Sequence, residues 1–287
     1  MQKMISNFSN RQYMITQDFE FFHYRDRTAV DVGYHNHDFY EIFFFISGKV
    51  SYIIEGKTYF IQSGDILLIN NKDLHKPVID YEGTYERIVI WVNPDYLKKN
   101  SLDNSDLTMC FENTKKYNLI RPNIEMRAKL QSILNHLESS CNSAGFGNDI
   151  LKKLYLMELI VYLNKAMLET QKDKLEIDIE YNKKVNSVIE YINEHLTSDL
   201  SLDYLSSIFF LCKYHLSREF KKYTGYTLYN YILLKRLIRS KELLGKGLTV
   251  TDTCNQCGFG DYSNFIRTFK KHIGTSPKKY ARQIIND

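Results

Sequence analysis

The chain of 287 residues has few cysteines, only four prolines and no long apolar segment. Its five cysteines are odd in number and scattered, so they do not form a disulfide framework, which is typical of a reducing compartment. No run approaches the roughly eighteen apolar residues of a membrane span, and the first residues lack the apolar core of a secretory signal. We therefore expect a cytoplasmic globular protein. Its length predicts two domains.

The net charge of +4 is unevenly distributed along the chain. Residues 183–287 contain 17 Lys and Arg against 9 Asp and Glu, a net charge of +8, so the first 182 residues carry −4. A basic half is typical of a surface that binds a polyanion such as DNA, although a solvated lysine-rich surface gives the same count. The charge distribution suggests different partners for the two halves.

Short segments rich in β-branched and aromatic residues predict strands between residues 19 and 92. Turn-forming pairs such as Glu55-Gly56 and Ser63-Gly64 separate them, and connections this short join antiparallel strands, which predicts a sandwich or barrel. After Pro94 the apolar spacing becomes helical and predicts two helices with a turn near residues 143–147. This helical hairpin could cover the barrel or pair with a second copy of the chain.

A repeat with an offset of 49 residues marks the C-terminal half. The segments KYHLSREFKKYTG, from Lys213, and YSNFIRTFKKHIG, from Tyr262, are identical at five of thirteen positions, and a sixth position is apolar in both. Each has an apolar i,i+4 pair, basic residues around it, and a final glycine that can end a helix in the left-handed conformation. A shorter helix precedes each copy, so each unit is predicted to be a helix-turn-helix. Between them, residues 227–244 predict a helix of about 27 Å, long enough to place two recognition helices about one turn of B-DNA (~34 Å) apart.

The last third of the chain resembles a known family of DNA-binding domains. The stretch CGFGDYSNFIRTFKKHIGTSPKKY, which ends at Tyr280, is similar to the signature of the AraC/XylS family of transcriptional regulators. Its matching positions are Gly258, Phe259, Phe269, Lys270, Gly274, Ser276, Pro277 and Tyr280. The resemblance implies a non-enzymatic regulator with RNA polymerase as a candidate partner. Many members of the family are activators, which favours activation, but the sequence itself leaves activation and repression open. Thr253 departs from the family pattern, which has an aliphatic residue at that position.

The family places its base-reading residues early on the two basic helices. The resemblance therefore implies base contacts by Tyr214, Ser217, Arg218, Tyr262, Ser263, Ile266 and Arg267. Arginine can make a bidentate contact to guanine, although either arginine could instead bind a phosphate or an internal carboxylate. Phosphate contacts are expected from Lys221, Lys222, Lys270 and Lys271. Because Ile266 replaces the polar Ser217, we expect the first helix to read more of the DNA sequence and the second to contribute more of the anchoring.

Several side chains of metal-ligand type lie in the predicted barrel. His35, His37 and Glu41, followed by Gly48, match the first histidine motif of cupins, HxHxxxE, and His75 lies near the position of the second motif's histidine. Residues of one strand parity share a face of a sheet, so these side chains could converge inside the barrel. Two or three imidazoles and a carboxylate can bind Fe, Mn, Ni or Zn.

The same residues could instead line an effector pocket or have a purely structural role. Sensor domains of AraC-type regulators resemble cupins, which implies a small organic effector, often a sugar, with no metal or other cofactor. Gln62 stands where the second motif has proline, and this departure favours the effector pocket. The candidate effector-binding residues are His35, His37, Phe39, Glu41, His75, Arg25 and Trp91.

The sequence thus predicts an α+β protein of two domains. Residues 1–108 are expected to form a cupin-like antiparallel β-barrel, 109–170 a helical hairpin that dimerises, and 171–182 a linker. Residues 183–287 are expected to form an all-α domain with two helix-turn-helix units joined by a long helix. The favoured function is an effector-responsive transcriptional regulator that binds double-stranded DNA. The alternatives are a metal-dependent cupin enzyme fused to a DNA-binding domain and a nucleoid-type DNA binder without an effector.

Overall fold

The computed structural model describes residues 6, 11–27, 32–80, 83–112, 117–169 and 178–286. The chain divides into two compact units, one formed by Met1–Ile54 and Thr58–Glu180 and the other by Glu55–Lys57 and Tyr181–Asp287. Most of the predicted linker lies outside the described residues. Within the described ranges, none of the helices is both long enough and apolar enough to cross a membrane.

The first unit contains two antiparallel sheets, as the short strands and tight turns predict. One sheet has the strand order β1-β7-β2-β5-β8 and the other has the order β6-β3-β4-β9. Tyr40 to Phe45 of β2 are all buried, because this central strand is covered on both of its faces. The strands are β1 (Phe19–Asp26), β2 (Tyr40–Ser47), β3 (Lys49–Ile54), β4 (Lys57–Phe60), β5 (Ile66–Ile69), β6 (His75–Asp80), β7 (Tyr85–Val92), β8 (Leu119–Ile120) and β9 (Ile179–Glu180).

The described part of the first unit also contains four helices: α1 (Pro94–Asn100), α2 (Met109–Glu112), α3 (Ile124–Asn142) and α4 (Asn148–Glu169). The even-numbered side chains of β2, such as Ile42, share one core with Leu134 of α3 and Leu159 of α4. Strand alternation therefore divides β2 between two environments, one against the helices and the other inside the β layer. One face of the helical hairpin covers the five-stranded sheet, which is one of the two roles that the sequence leaves open for it.

In the second unit, residues 181–286 form helices joined by turns and short loops. The predicted cap at Ser201 is present, since its Oγ accepts a hydrogen bond from the backbone N–H of Tyr204. Gly225 and Gly274 have φ values of 75° and 82° and end the two basic helices in the left-handed conformation. The helices are α5 (Lys183–Glu194), α6 (Leu202–Ile208), α7 (Lys213–Thr224), α8 (Leu228–Gly245), α9 (Val250–Gln256), α10 (Tyr262–Ile273) and α11 (Pro277–Asn286).

The repeat corresponds to two helix-turn-helix units, α6–α7 and α9–α10, with the 18-residue helix α8 between them. In the second unit Phe265 and Phe269 are fully buried and pack with Leu237 of α8 and Cys254 of α9. Thr253, the departure from the family pattern, is also fully buried, and its hydroxyl oxygen has no hydrogen-bond partner in the described part of the chain. Thr253 is therefore buried, but it carries a polar hydroxyl group in place of the family's aliphatic side chain.

Candidate DNA-binding and effector-binding sites

The helix α7 presents its first two turns to solvent. Tyr214 is 88% exposed and the side chain of Arg218 is 75% exposed, whereas Leu216 and Phe220 are buried beneath them. The Nε of Arg218 donates a hydrogen bond of 3.3 Å to the carboxylate of Glu219. An exposed ion pair of this kind contributes little, about 0–1 kcal/mol, so the guanidinium can exchange it for a DNA contact.

The helix α10 presents the equivalent turns. Tyr262 is 49% exposed, and Ser263 and Arg267 are also exposed. Ile266 is half-buried and packs against the core around Phe265 and Phe269. Its side chain therefore contributes partly to the core of the second unit. Ser217, at the equivalent position of α7, is also half-buried, so the two positions differ in polarity and not in whether they are exposed.

The four lysines that follow these turns lie near the C-terminal ends of the two basic helices. All four are exposed, which leaves their ammonium groups available to an approaching phosphate backbone: Lys221, Lys222, Lys270 and Lys271. Cations at a helix C-terminus also interact favourably with the helix dipole. These four lysines therefore form a basic surface in which each ammonium group remains exposed to solvent.

Inside the β layer, three histidines converge from three positions in the chain. His35 and His75 pair through two backbone hydrogen bonds of 3.0 Å, and their ring centroids are 4.3 Å apart. The ring of His37 lies 4.9 Å from that of His75, and one nitrogen from each of the three rings lies within 4.8 Å of the others. The loop before β2 and the start of β6 thus bring together residues separated by about forty positions of sequence.

Glu41 is the acidic member of this cluster. Its Oε2 accepts a hydrogen bond of 3.2 Å from Nε1 of Trp91 and lies 3.4 Å from Nε2 of His37. Burial opposes ionisation of this carboxyl group, but the interaction with His37 and the nearby imidazoles outweigh burial and hold its pKa at about 2. For His75, burial and the neighbouring histidines lower the pKa to about 3. At neutral pH the cluster therefore contains the carboxylate of Glu41 and the neutral imidazole of His75.

Aromatic rings surround these polar groups. Phe39 stacks on His37 at 3.9 Å and on Trp91 at 4.5 Å between ring centroids. The guanidinium of Arg11 lies 5.0 Å from the Trp91 ring. Planar surfaces next to fixed hydrogen-bonding groups are the composition of a small-molecule pocket.

The comparisons with known proteins agree with this two-part arrangement. Residues 18–160 match the model of the AraC-like ligand binding domain, and residues 205–283 match that of a helix-turn-helix domain. Together the two models cover most of the chain. The chain belongs to the AraC family of transcriptional regulators.

Similar proteins are found in several bacteria. The HTH-type transcriptional activator RhaS of Salmonella schwarzengrund is 25% identical over 249 residues, which are 85% of each chain. RhaS of Enterobacter sp. (strain 638) is 25% identical over 251 residues, covering 85% of this chain and 86% of its own. A structure of wild-type ToxT from Vibrio cholerae is 18% identical and covers 93% of this chain and 95% of its own, with a TM-score of 0.39.

Six of the seven residues predicted to bind an effector lie together in this AraC-type domain, whereas Arg25 does not. Odd-numbered residues of β1 face the helical layer, as Phe19 and His23 do, and even-numbered residues such as Tyr24 face the β layer. Arg25 follows the odd parity: its side chain is 49% exposed and its Nε lies 3.5 Å from the carboxylate of Glu86. Arg25 therefore lies outside the cluster of candidate effector-binding residues, and its predicted position there is wrong because strand alternation turns its side chain to the other face.

Two arginines that the sequence pattern did not single out supply the guanidinium groups of the interior. Arg87 is buried, donates a hydrogen bond of 2.6 Å to Asp26 and lies 4.2 Å from the Tyr85 ring centroid. Arg11 pairs with Glu20 and lies over Trp91. Arg87 and Trp91 are an even number of residues apart on one predicted strand and therefore share a face, so Arg87 could have been identified from the sequence. Arg11 precedes β1, where strand alternation gives no information.

Phe210 is a further exposed residue of the first helix-turn-helix unit. It lies in the turn between α6 and α7, is 94% exposed and has a φ of 52°. The left-handed conformation costs a residue with a side chain roughly 1–2 kcal/mol, and here no burial of the ring offsets that cost. An apolar ring held in this way extends the candidate DNA-binding surface beyond the predicted residues of α7.

Proposed function

We propose that this AraC-family protein is a transcriptional activator that binds double-stranded DNA through both helix-turn-helix units and responds to a small-molecule effector. The observation that carries the proposal is the exposure of Arg218 and Arg267 at equivalent positions of two helices whose opposite faces are buried. The helix N-terminal turns would meet base edges and the lysines would meet phosphates. Activation would involve RNA polymerase as a further partner. The curated relatives are transcriptional regulators, and we propose that this chain, too, acts in the cytoplasm by binding and not by catalysis.

We propose a sugar as the effector and the interior around Trp91 as its site. Sugar recognition needs planar stacking surfaces together with fixed hydrogen-bonding groups. Trp91 and Phe39 provide stacked rings, while Glu41 and the histidines provide buried polar groups at defined distances. Effector binding would change the relative populations of protein states that differ in DNA affinity.

A thermal-shift screen of monosaccharides tests the effector proposal. A ligand that binds only the folded state stabilises it by about 2.7 kcal/mol at a hundred times its Kd, so at least one sugar is expected to raise the Tm. Trp91→Leu removes the stacking surface and is expected to abolish the shift, whereas Phe146→Ala, which removes a fully exposed ring, should leave it unchanged. A sugar that passes this test should then alter run-off transcription by RNA polymerase. A set of sugars without any effect, or a shift that persists in Trp91→Leu, would contradict the proposal.

We also propose that the protein is a homodimer in which α4 packs against a second copy. Five apolar side chains on this helix are exposed by 38–61%. Four of them have spacings of four, seven and seven residues, which place them along one side of the helix: Ile150, Leu154, Val161 and Leu168. The inner side of α4 is already buried against the sheet, so this outer stripe is free to associate.

Sedimentation of a charged variant tests the dimer. Leu154→Lys places a charge in the middle of the stripe and is expected to shift the protein to the monomer, because burying an unpaired ammonium group opposes association. Leu102→Lys is the matched control, since Leu102 is 76% exposed and lies outside α4. A wild-type monomer, or a dimer unaffected by Leu154→Lys, would exclude this interface.

A further inference from the structure

We propose that His35, His37 and His75 bind a divalent first-row transition-metal ion, with the carboxylate of Glu41 balancing its charge. One ring nitrogen from each histidine lies within 4.8 Å of the others, and His37, His75 and Glu41 are almost completely buried. The inference goes beyond the proposed organic effector and does not depend on DNA binding.

All three imidazoles are oriented by the same kind of hydrogen bond. The Nδ1 atoms of His35, His37 and His75 lie 2.9, 2.8 and 3.0 Å from the backbone carbonyl oxygens of Gly33, Phe39 and Asp73. A carbonyl oxygen can only accept, so each Nδ1 must carry the proton and each neutral ring keeps its lone pair on Nε2. This arrangement, in which one ring nitrogen donates to the protein and the other is free to bind, is the one that metal-ligating histidines adopt.

The buried ring nitrogens of His37 and His75 need a partner that the described residues do not supply. The Nε2 atoms of His37 and His75 are buried and have no hydrogen-bond partner among the described residues. Leaving a buried acceptor unsatisfied is costly, and buried polar groups almost always have a partner. Oε2 of Glu41 lies 3.4 Å from Nε2 of His37, so the carboxylate is close to the same nitrogen. A bound metal ion would satisfy the nitrogens and the carboxylate together.

His23 shows the contrasting arrangement within the same domain. It is also buried, but its Nδ1 and Nε2 lie 2.6 and 2.9 Å from the carboxylates of Glu138 and Glu86, so both of its ring nitrogens are engaged. A structural histidine is thus fully paired in this protein, and the unpaired nitrogens of His37 and His75 are not a general feature of its buried histidines.

The donor set indicates the class of ion. Three imidazole nitrogens and a nearby carboxylate suit Zn²⁺, Fe²⁺, Co²⁺, Ni²⁺ or Mn²⁺, and oxygen-preferring Mg²⁺ and Ca²⁺ are disfavoured. With metal–nitrogen bonds of about 2.0 Å, the nitrogens of a tetrahedral site lie about 3.3 Å apart, so the rings must draw together on binding. His35 is only half-buried and leaves an entry route from that side. Three protein nitrogens also leave a coordination position for an exogenous oxygen ligand.

Cobalt titration of the full-length protein tests the proposal. The protein, purified without a histidine tag and treated with chelator, is titrated with Co²⁺ and the visible d–d absorption is recorded. We expect one Co²⁺ per chain without the thiolate charge-transfer absorption of a cysteine site, and displacement by Zn²⁺. His37→Ala and His75→Ala should each weaken binding by at least about 100-fold, because each removes a direct ligand and second-shell changes alone cost 10- to 100-fold. His136→Ala, an exposed histidine on α3, should bind like the wild type.

Variants of the buried histidines must be shown to fold, and far-UV circular dichroism together with DNA affinity provides that check. His35→Ala changes a half-buried residue and serves as the second test if a buried variant unfolds; it should weaken Co²⁺ binding by at least about tenfold. The proposal is overturned if the wild type shows no saturable Co²⁺ binding, if the bound ion has thiolate absorption, or if folded His35→Ala and His37→Ala bind Co²⁺ as tightly as the wild type. Loss of DNA binding with metal binding intact would count only against the proposed regulatory function.

Discussion

Replacing Arg218 or Arg267 by alanine is expected to weaken binding to a specific operator by about 5- to 150-fold each. A bidentate contact between arginine and guanine contributes about 1–3 kcal/mol of discrimination, and each factor of ten in affinity corresponds to about 1.4 kcal/mol. Neither side chain is needed for folding, because Arg218 is mostly exposed and its one ion pair, to Glu219, is weak, and Arg267 is exposed. The loss should therefore appear in DNA affinity and leave thermal stability unchanged.

Fluorescence anisotropy with specific and scrambled duplexes at fixed salt measures this effect. Each variant should reduce the difference in affinity between the two duplexes, and the double variant should lose it, while nonspecific binding, which depends mainly on phosphate contacts, is kept. Arg25→Ala is the matched control, because it removes one exposed arginine from the other unit. If the double variant still discriminates between the duplexes, α7 and α10 are not the reading helices.

Replacing Gly258 by alanine is expected to destabilise the second unit by more than about 3 kcal/mol. Gly258 has a φ of 76°, which costs any other L-residue roughly 1–2 kcal/mol. An added Cβ would also lie 2.2 Å from the carbonyl oxygen of Leu196 and 3.0 Å from Cα of Thr197. The Leu196 carbonyl is held in place by a hydrogen bond of 3.0 Å from Nε of Arg236, so relief of the clash requires a backbone shift.

Gly274→Ala separates the two components of this cost. Gly274 has a similar φ of 82°, but an added Cβ meets nothing within 4 Å in the described structure. Its replacement should cost only the conformational component, about 1–2 kcal/mol. Urea unfolding of the full-length variants, followed by far-UV circular dichroism, gives both values. Equal destabilisation by the two substitutions would show that the contact with Leu196 does not determine the requirement for glycine at 258.

The repeat made the second unit predictable in detail. Its helices begin and end at residues that favour helix ends by their own chemistry, such as Ser201 and the glycines at 225 and 274. Such residues can be recognised in the sequence without knowledge of tertiary contacts. Burial of Phe220 and Phe269 follows from the i,i+4 spacing of the same segments. The left-handed Phe210 was not predictable, because nothing in the residue type favours that conformation.

The interior of the first unit was predictable only in part. The histidine motif identified His37 and Glu41, and strand parity places Trp91 opposite them. The position of Arg25 depended on which parity of β1 faces inward, and that is decided by the register of β1 with β7, a long-range pairing. The pairing of His35 with His75 is likewise a contact between segments that are distant in sequence, so the motif did not predict how close the two rings lie in space.

Selection of operator sites from a random duplex pool tests the central claim most directly. The account predicts enrichment of a motif with two half-sites one helical turn apart, about 10–10.5 base pairs, because α8 joins two reading units within one chain. Substitutions in the half-site read by α7 should cost more than those in the half-site read by α10, since half-buried Ile266 replaces Ser217 there. A pool without any enriched motif, or a motif that the Arg218→Ala and Arg267→Ala variants also select, would contradict the account.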